Sequence, residues 1–157
     1  MSFELKNLTE KYEKYEKKYK LPTFSELNSA FEIDKIDREP EFLLRVIRKV
    51  IMEKIVNSLS FLDMLSNPMN SPRIYHAYIK GMNVKDKEII DKLYNIFGEL
   101  SVESIGMELE YNEKKEAEFI GLVYKSWNDV KKDFSEIMDN MMNPNSISDK
   151  REKDYFG

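Results

Sequence analysis

The chain contains no cysteine. That excludes disulfide scaffolds, thiol nucleophiles, cysteine zinc sites and iron–sulfur clusters. It holds a single histidine, His76. One histidine cannot complete the paired Glu-x-x-His set of a four-helix di-iron site. The surrounding "SPRIYHAYIKG" offers nothing to build a Ser-His-Asp triad. Glycine and proline number five each in 157 residues, too few for an all-β or largely irregular chain. Long apolar runs are missing too. The most apolar stretch, "FLLRVIRKVIMEKIV", is interrupted by Arg45, Arg48, Lys49, Glu53 and Lys54. No window therefore reaches the ~18 apolar residues of a membrane span. "MSFELKNLTEKYEK" has no basic start leading into an apolar run, so it does not read as a secretory signal. The expected location is cytoplasmic, without a membrane partner.

What is present suits a folded helical domain. The apolar fraction is 41%, aromatics make up 12%, and 34% of residues are charged with a net charge of −4. That length fits one domain with a sizeable core under a salt-bridged surface.

Leu5, Leu8, Tyr12, Tyr15 and Tyr19 step by three and four, an a/d seam that predicts a helix over residues 3–20. Two heptads are too short to be stable alone, so the seam needs a partner surface. Pro22 ends that helix, and Thr23 with Glu26 predicts a capping box for the next. There Phe24, Leu27 and Phe31 share one face. A long helix is expected from about Arg38 to Ser66, capped by Asp37 or Glu39 with Pro40 in its first turn. It carries Phe42, Leu43, Val46, Ile47, Val50 and Ile51 on much of its circumference, followed by Ile55, Leu59, Leu62 and Leu65.

Ser71 and Pro72 predict the start of a short helix that runs through Lys80 and stops at Gly81. Asn83 caps a helix expected over residues 84–111, whose core face includes Leu93, Phe97, Leu100, Ile105 and Leu109. The "GELS" stretch is a candidate bend within it. Asn112 leads into a last helix over residues 113–142, with Phe119, Ile120, Val123, Trp127, Val130 and Phe134 as its core. The expected fold is all-α, an up-and-down bundle of three long helices with short helices and an N-terminal helical arm. The expected organisation is a heptad arm over residues 1–21, a bundle over 22–143 and a mobile tail over 144–157.

Three blocks, "LPTFSELNSAFEIDKI", "EPEFLLRVIRKVIMEKI" and "NEKKEAEFIGLVYKSW", resemble small all-helical archaeal proteins that form a family with no activity assigned to it. The resemblance spans residues 21 to about 142. It implies a cytoplasmic protein and carries over no cofactor or catalytic residue.

Glu99, Glu103, Glu108, Glu110, Glu113, Glu116 and Glu118 cluster late and could offer hard oxygen ligands to Mg²⁺ or Ca²⁺, but no loop around them resembles a cation-binding loop. They alternate with lysines as solvated faces do. Residues 38–82 carry seven Lys/Arg against four Asp/Glu, and residues 83–157 carry eleven against seventeen. Arg38, Arg45, Arg48 and Lys49, with Arg73 and Lys80, form a candidate anion-contact set. The simpler expectation is that this basic face pairs with the acidic C-terminal helices, within the chain or across a dimer.

No catalytic, cofactor or metal site is expected. The favoured reading is a non-enzymatic helical interaction or scaffold protein. Its contacts would be Leu5, Leu8, Tyr12, Tyr15 and Tyr19 of the arm and the Phe24, Leu27 and Phe31 anchor, with a homodimer as the favoured form. The alternative is an anion or nucleic-acid binding module built on the six cations.

Overall fold

Local signals set most of the helix boundaries. The structure, a computed structural model, describes residues 3–37 and 40–143. Helix α1 spans Phe3–Tyr19 and stops where Lys20 takes a φ of 53° ahead of Pro22. Helix α2 spans Phe24–Phe31 behind the expected capping box. The Glu26 backbone N–H donates to Thr23 Oγ1 at 3.2 Å, and the Thr23 backbone N–H donates to Glu26 Oε2 at 2.7 Å. Glu32 then turns left-handed, at φ 56° and ψ 50°, and closes α2. The remaining helices are α3 (Leu43–Ser66), α4 (His76–Gly81), α5 (Val84–Gly106) and α6 (Glu113–Met142). Among the described residues there is no strand. The fold is an all-α bundle, as expected.

Several boundaries differ from the sequence reading. Helix α3 starts at Leu43, not near Arg38. The Pro40 carbonyl accepts from Lys11 Nζ at 2.9 Å, so it is not spent on a first helical turn. Ser71 does not cap α4: its hydroxyl donates back to the Pro68 carbonyl at 3.0 Å, and a 3-10 turn at Arg73–Tyr75 precedes the helix. Helix α5 runs unbroken through "GELS" and ends at Gly106 rather than near Tyr111. Arg38, Glu39 and the tail at 144–157 lie outside the described residues.

The described residues fall into two compact units, one of those up to Asn57 with Glu99–Trp127 and one of Ser58–Gly98 with those from Asn128 onward. In the first unit α1 and α2 pack beside the start of α3. Tyr12 is fully buried, its ring 5.9 Å from Phe24 in an edge-on contact. Its hydroxyl donates to the Pro22 carbonyl at 2.6 Å, which satisfies the polar tip of a buried aromatic. Leu27, Phe31 and Ile33 are buried, and Phe31 packs 5.8 Å from Trp127 of α6. Lys54 of α3 donates to the Ala30 carbonyl at 2.6 Å and lies 4.8 Å over the Trp127 ring. Arg48 meets Glu116 and Lys54 meets Trp127, so α3 and α6 run parallel here.

In the second unit Phe134 of α6 packs against Phe61 of α3 and Phe97 of α5, at 6.3 and 6.4 Å. The Asp86 backbone N–H donates to Asn83 Oδ1 at 2.8 Å, which is the expected cap of α5. Asp86 is itself buried, and Asn140 Nδ2 donates to it at 3.2 Å. Lys92 pairs with Asp133 at 3.1 Å and Lys85 with Glu136 at 3.2 Å. These are exposed pairs of small individual worth. Moving up α5 from Asp86 to Phe97 moves down α6 from Asn140 to Phe134, so the two helices are antiparallel.

Gly98 sits inside α5 without a left-handed φ, and a Cβ added there meets nothing within 4 Å. Gly98→Ala should therefore stabilise the chain by about 0.5–1 kcal/mol, by removing backbone freedom from the unfolded state. Urea unfolding followed by circular dichroism measures it, and an unchanged midpoint would count against this account.

Candidate functional site

The α5–α6 connection, "SIGMELEYNEKKE", is the most heavily fixed turn in the first unit. Helix α5 unwinds through single turns: Met107 N–H to the Glu103 carbonyl, Glu108 N–H to that of Ile105, and Leu109 N–H to that of Gly106, at 3.1, 3.1 and 3.3 Å. Asn112 then caps α6, its Oδ1 accepting from the Lys115 N–H at 3.0 Å. Glu113 and Glu116 fall in the first turn of α6, where the helix dipole favours anions.

Two arginines of α3 clamp this turn from inside. Arg48 is only 1% exposed and makes five hydrogen bonds. Its Nε and Nη2 donate to Glu116 at 2.6 and 3.3 Å, its Nη1 donates to the Ser104 carbonyl and hydroxyl at 3.1 and 2.7 Å, and its Nη2 also donates to Glu108 at 2.7 Å. That uses the full donor capacity of the guanidinium. Burial works against the Arg48 charge, but the hydrogen bonds to Glu116 and Glu108 outweigh it and its pKa is raised. Glu116 is also 1% exposed. Arg45 donates from Nη2 to the Met107 carbonyl at 3.2 Å, with its Nε 3.5 Å from Glu116 and its guanidinium 5.3 Å from the Tyr111 ring centre. The Tyr111 ring packs on Phe42 at 4.2 Å.

Two carboxylates at the edge of this cluster titrate low. The Arg48 hydrogen bond holds Glu108 below the usual carboxylate range, with Lys49 3.5 Å away. Glu113 is held low by hydrogen bonds from Lys18 and Tyr19, both 2.6 Å from its Oε1. The last turn of α1 is thereby tied to the first turn of α6.

Outside the clamp the turn forms a groove. It encloses about 640 Å³, with Gly106, Met107, Leu109, Phe119 and Leu122 as its apolar lining. Glu103, Glu110 and Glu118 also line it, with Lys115 as its one cation. Leu109 is 90% exposed, although the sequence reading set it among the apolar core residues of this helix. Ile105 (68% exposed) corrects the same expectation, and Val102 on the neighbouring face of α5 is 71% exposed. The core side of α5 is instead Leu93, Phe97, Leu100 and Ser104. A Cβ added to Gly106 meets nothing within 4 Å, so the groove floor is open there.

The other expected site residues are dispersed. Leu8, Tyr12, Leu27 and Phe31 are buried within the first unit, while Leu5, Tyr15, Tyr19 and Phe24 are half-buried at its edge. Of the six expected anion-contact cations, Arg45, Arg48 and Lys49 are engaged with Glu108 and Glu116. Arg73 and Lys80 are exposed residues of the second unit. Arg38 lies outside the described residues. The basic face thus pairs with the acidic helices inside the chain. Sequence reasoning missed Gly106, Met107 and Leu122 of the groove lining. The available signal was an α5 with apolar residues on two faces, Phe97 and Leu100 on one and Val102 and Ile105 on the other.

Among the described residues no group of three His, Asp or Glu side chains is placed to hold a metal ion. None of the described helices is long and apolar enough to cross a membrane. No protein-family model matches the chain, and no curated protein or solved structure shows significant similarity to it.

Proposed function

We propose that this chain is a non-enzymatic helical interaction protein whose docking surface is the groove at the α5–α6 turn. The observation that carries this reading is the exposure of Leu109 and Leu122 in the lining of an apolar-floored groove of about 640 Å³, with Val102 and Ile105 exposed elsewhere on α5. Grouped exposed apolar side chains with a polar rim are the usual mark of a contact surface. The clamp by Arg48 and Arg45 supports it, because a turn held rigid from inside presents a preorganised surface outside. The arm is the less favoured surface. A homodimer through it would have to withdraw Leu8, Tyr12, Leu27 and Phe31 from their own unit.

The test compares wild type with Gly106→Trp, which fills the groove from an open position, and with Leu109→Ser, which removes its most exposed apolar group. Each is used as bait in a native extract. Captured proteins are identified by mass spectrometry, purified and titrated by calorimetry. A one-to-one partner that binds wild type and loses affinity for both variants is the expected result. Partners that bind all three chains equally would overturn the assignment of the groove.

A further inference from the structure

Given that docking reading, on which this step rests, we infer that the groove takes a basic amphipathic helix from a different protein. The argument is charge complementarity around an apolar floor. Glu103 on α5, Glu110 in the turn and Glu118 on α6 stand on three sides, and Lys115 is the one opposing charge. Glu118 has only a loose 3.8 Å contact with Lys114, both well exposed. Glu103 and Glu110 have no ion-pair partner among the described residues. This contrasts with buried Glu116 and with Glu108 and Glu113 at the cluster's edge, which are each paired with a cation. Among the described residues the cluster's glutamates are met by close cations, whereas groove Glu103 and Glu110 meet none and Glu118 has only the 3.8 Å Lys114 contact.

An amphipathic helix with apolar anchors at i, i+3 and i+7 suits a groove cut between two helix ends. Lysines or arginines beside those anchors would meet the glutamates, and Met107 gives the floor an adaptable surface. A second copy is a poor occupant. Two grooves meeting about a two-fold axis would set glutamates against glutamates. The Lys-rich helix of the chain itself, α1, already buries Leu8 and Tyr12 in its own unit and has no free apolar stripe to offer.

The experiment uses the full chain and two fluorescent helical peptides of about 15 residues, identical in their Leu anchors. One carries Lys at every flanking position and the other Glu. Anisotropy titrations are run on wild type, on Gly106→Trp, and on the triple variant Glu103→Gln, Glu110→Gln, Glu118→Gln. Circular dichroism and thermal midpoints show that each variant is folded. The Lys peptide should bind wild type, weaken with added salt, weaken about tenfold on the triple variant and be lost on Gly106→Trp. Equal binding of the Glu peptide, still lost on Gly106→Trp, would overturn the basic partner and leave the docking groove standing. So would a dimer by light scattering that Gly106→Trp dissolves, because the occupant would then be a second copy. Lys-peptide binding that ignores Gly106→Trp, or none at all, would also overturn the inference. The extract experiment with the same variant then judges the groove separately.

Discussion

Arg48→Ala is expected to lower the unfolding free energy by about 3–5 kcal/mol, the cost of leaving a buried charge without its partner. Glu116 is 1% exposed, and its two shortest contacts to Arg48 are 2.6 and 3.3 Å. Arg45 replaces them only in part, since its Nε stands 3.5 Å away and makes no hydrogen bond. The Ser104 hydroxyl loses its donor as well. A loss of that size is a large part of the stability of an ordinary domain. Converting the pair to apolar groups, Arg48→Met with Glu116→Leu, should cost less, because the fully buried carboxylate is then not stranded and only the partly exposed Arg45 loses its ion contact. Urea unfolding of both variants checks this, and a loss under about 1 kcal/mol for Arg48→Ala would show that the clamp is not structural.

The same cluster sets an acid limit. Glu108 and Glu113 have depressed folded-state pKa values, caused first by hydrogen bonds from Arg48 and Lys18 respectively. A depressed carboxylate contributes stability that is present above its unfolded pKa, about 4.3, and is lost as pH falls through the folded value. Unfolding midpoints should therefore hold steady down to about pH 5 and fall below about pH 4. Arg48→Ala should flatten that acid limb in part, because Glu108 then titrates nearer its ordinary range.

Phe31→Ala is the second large effect, expected at about 3–5 kcal/mol. Phe31 is 2% exposed, packs 5.8 Å from Trp127 and shares the Lys54 cation with it, at 5.9 and 4.8 Å. Truncation opens a cavity at the junction of α2, α3 and α6, which close-packed helices fill only partly. Trp127 is the sole tryptophan, so its emission reports this site alone. The variant should show a red-shifted folded-state emission together with its lowered midpoint. Phe24→Ala should cost much less, because Phe24 is only half-buried. Equal losses at the two positions would mean that the Phe31–Trp127 contact is not the anchor of α2.

The sequence by itself determined that the chain is helical and set several of the helix ends. The Thr23–Glu26 box, the Asn83 and Asn112 caps and the break at Pro22 are contacts within four residues, so neighbouring letters suffice to specify them. It also indicated that the arginines of α3 would meet late glutamates, since two opposite charge excesses in one small domain favour pairing. What it did not decide is which side of α5 faces inward. Its two apolar stripes both satisfy a helical period, and only packing against α3 and α6 selects Phe97 and Leu100 over Val102 and Ile105. The end of α5 was hidden for a related reason. Local propensity carries the helix toward Tyr111, yet the carboxylate of Glu108 is drawn to Arg48, sixty positions earlier in the chain. Burying a guanidinium requires every donor to be met, and that demand is a tertiary one. The contacts that hold this turn beside the groove span some sixty positions, which no short stretch of sequence encodes.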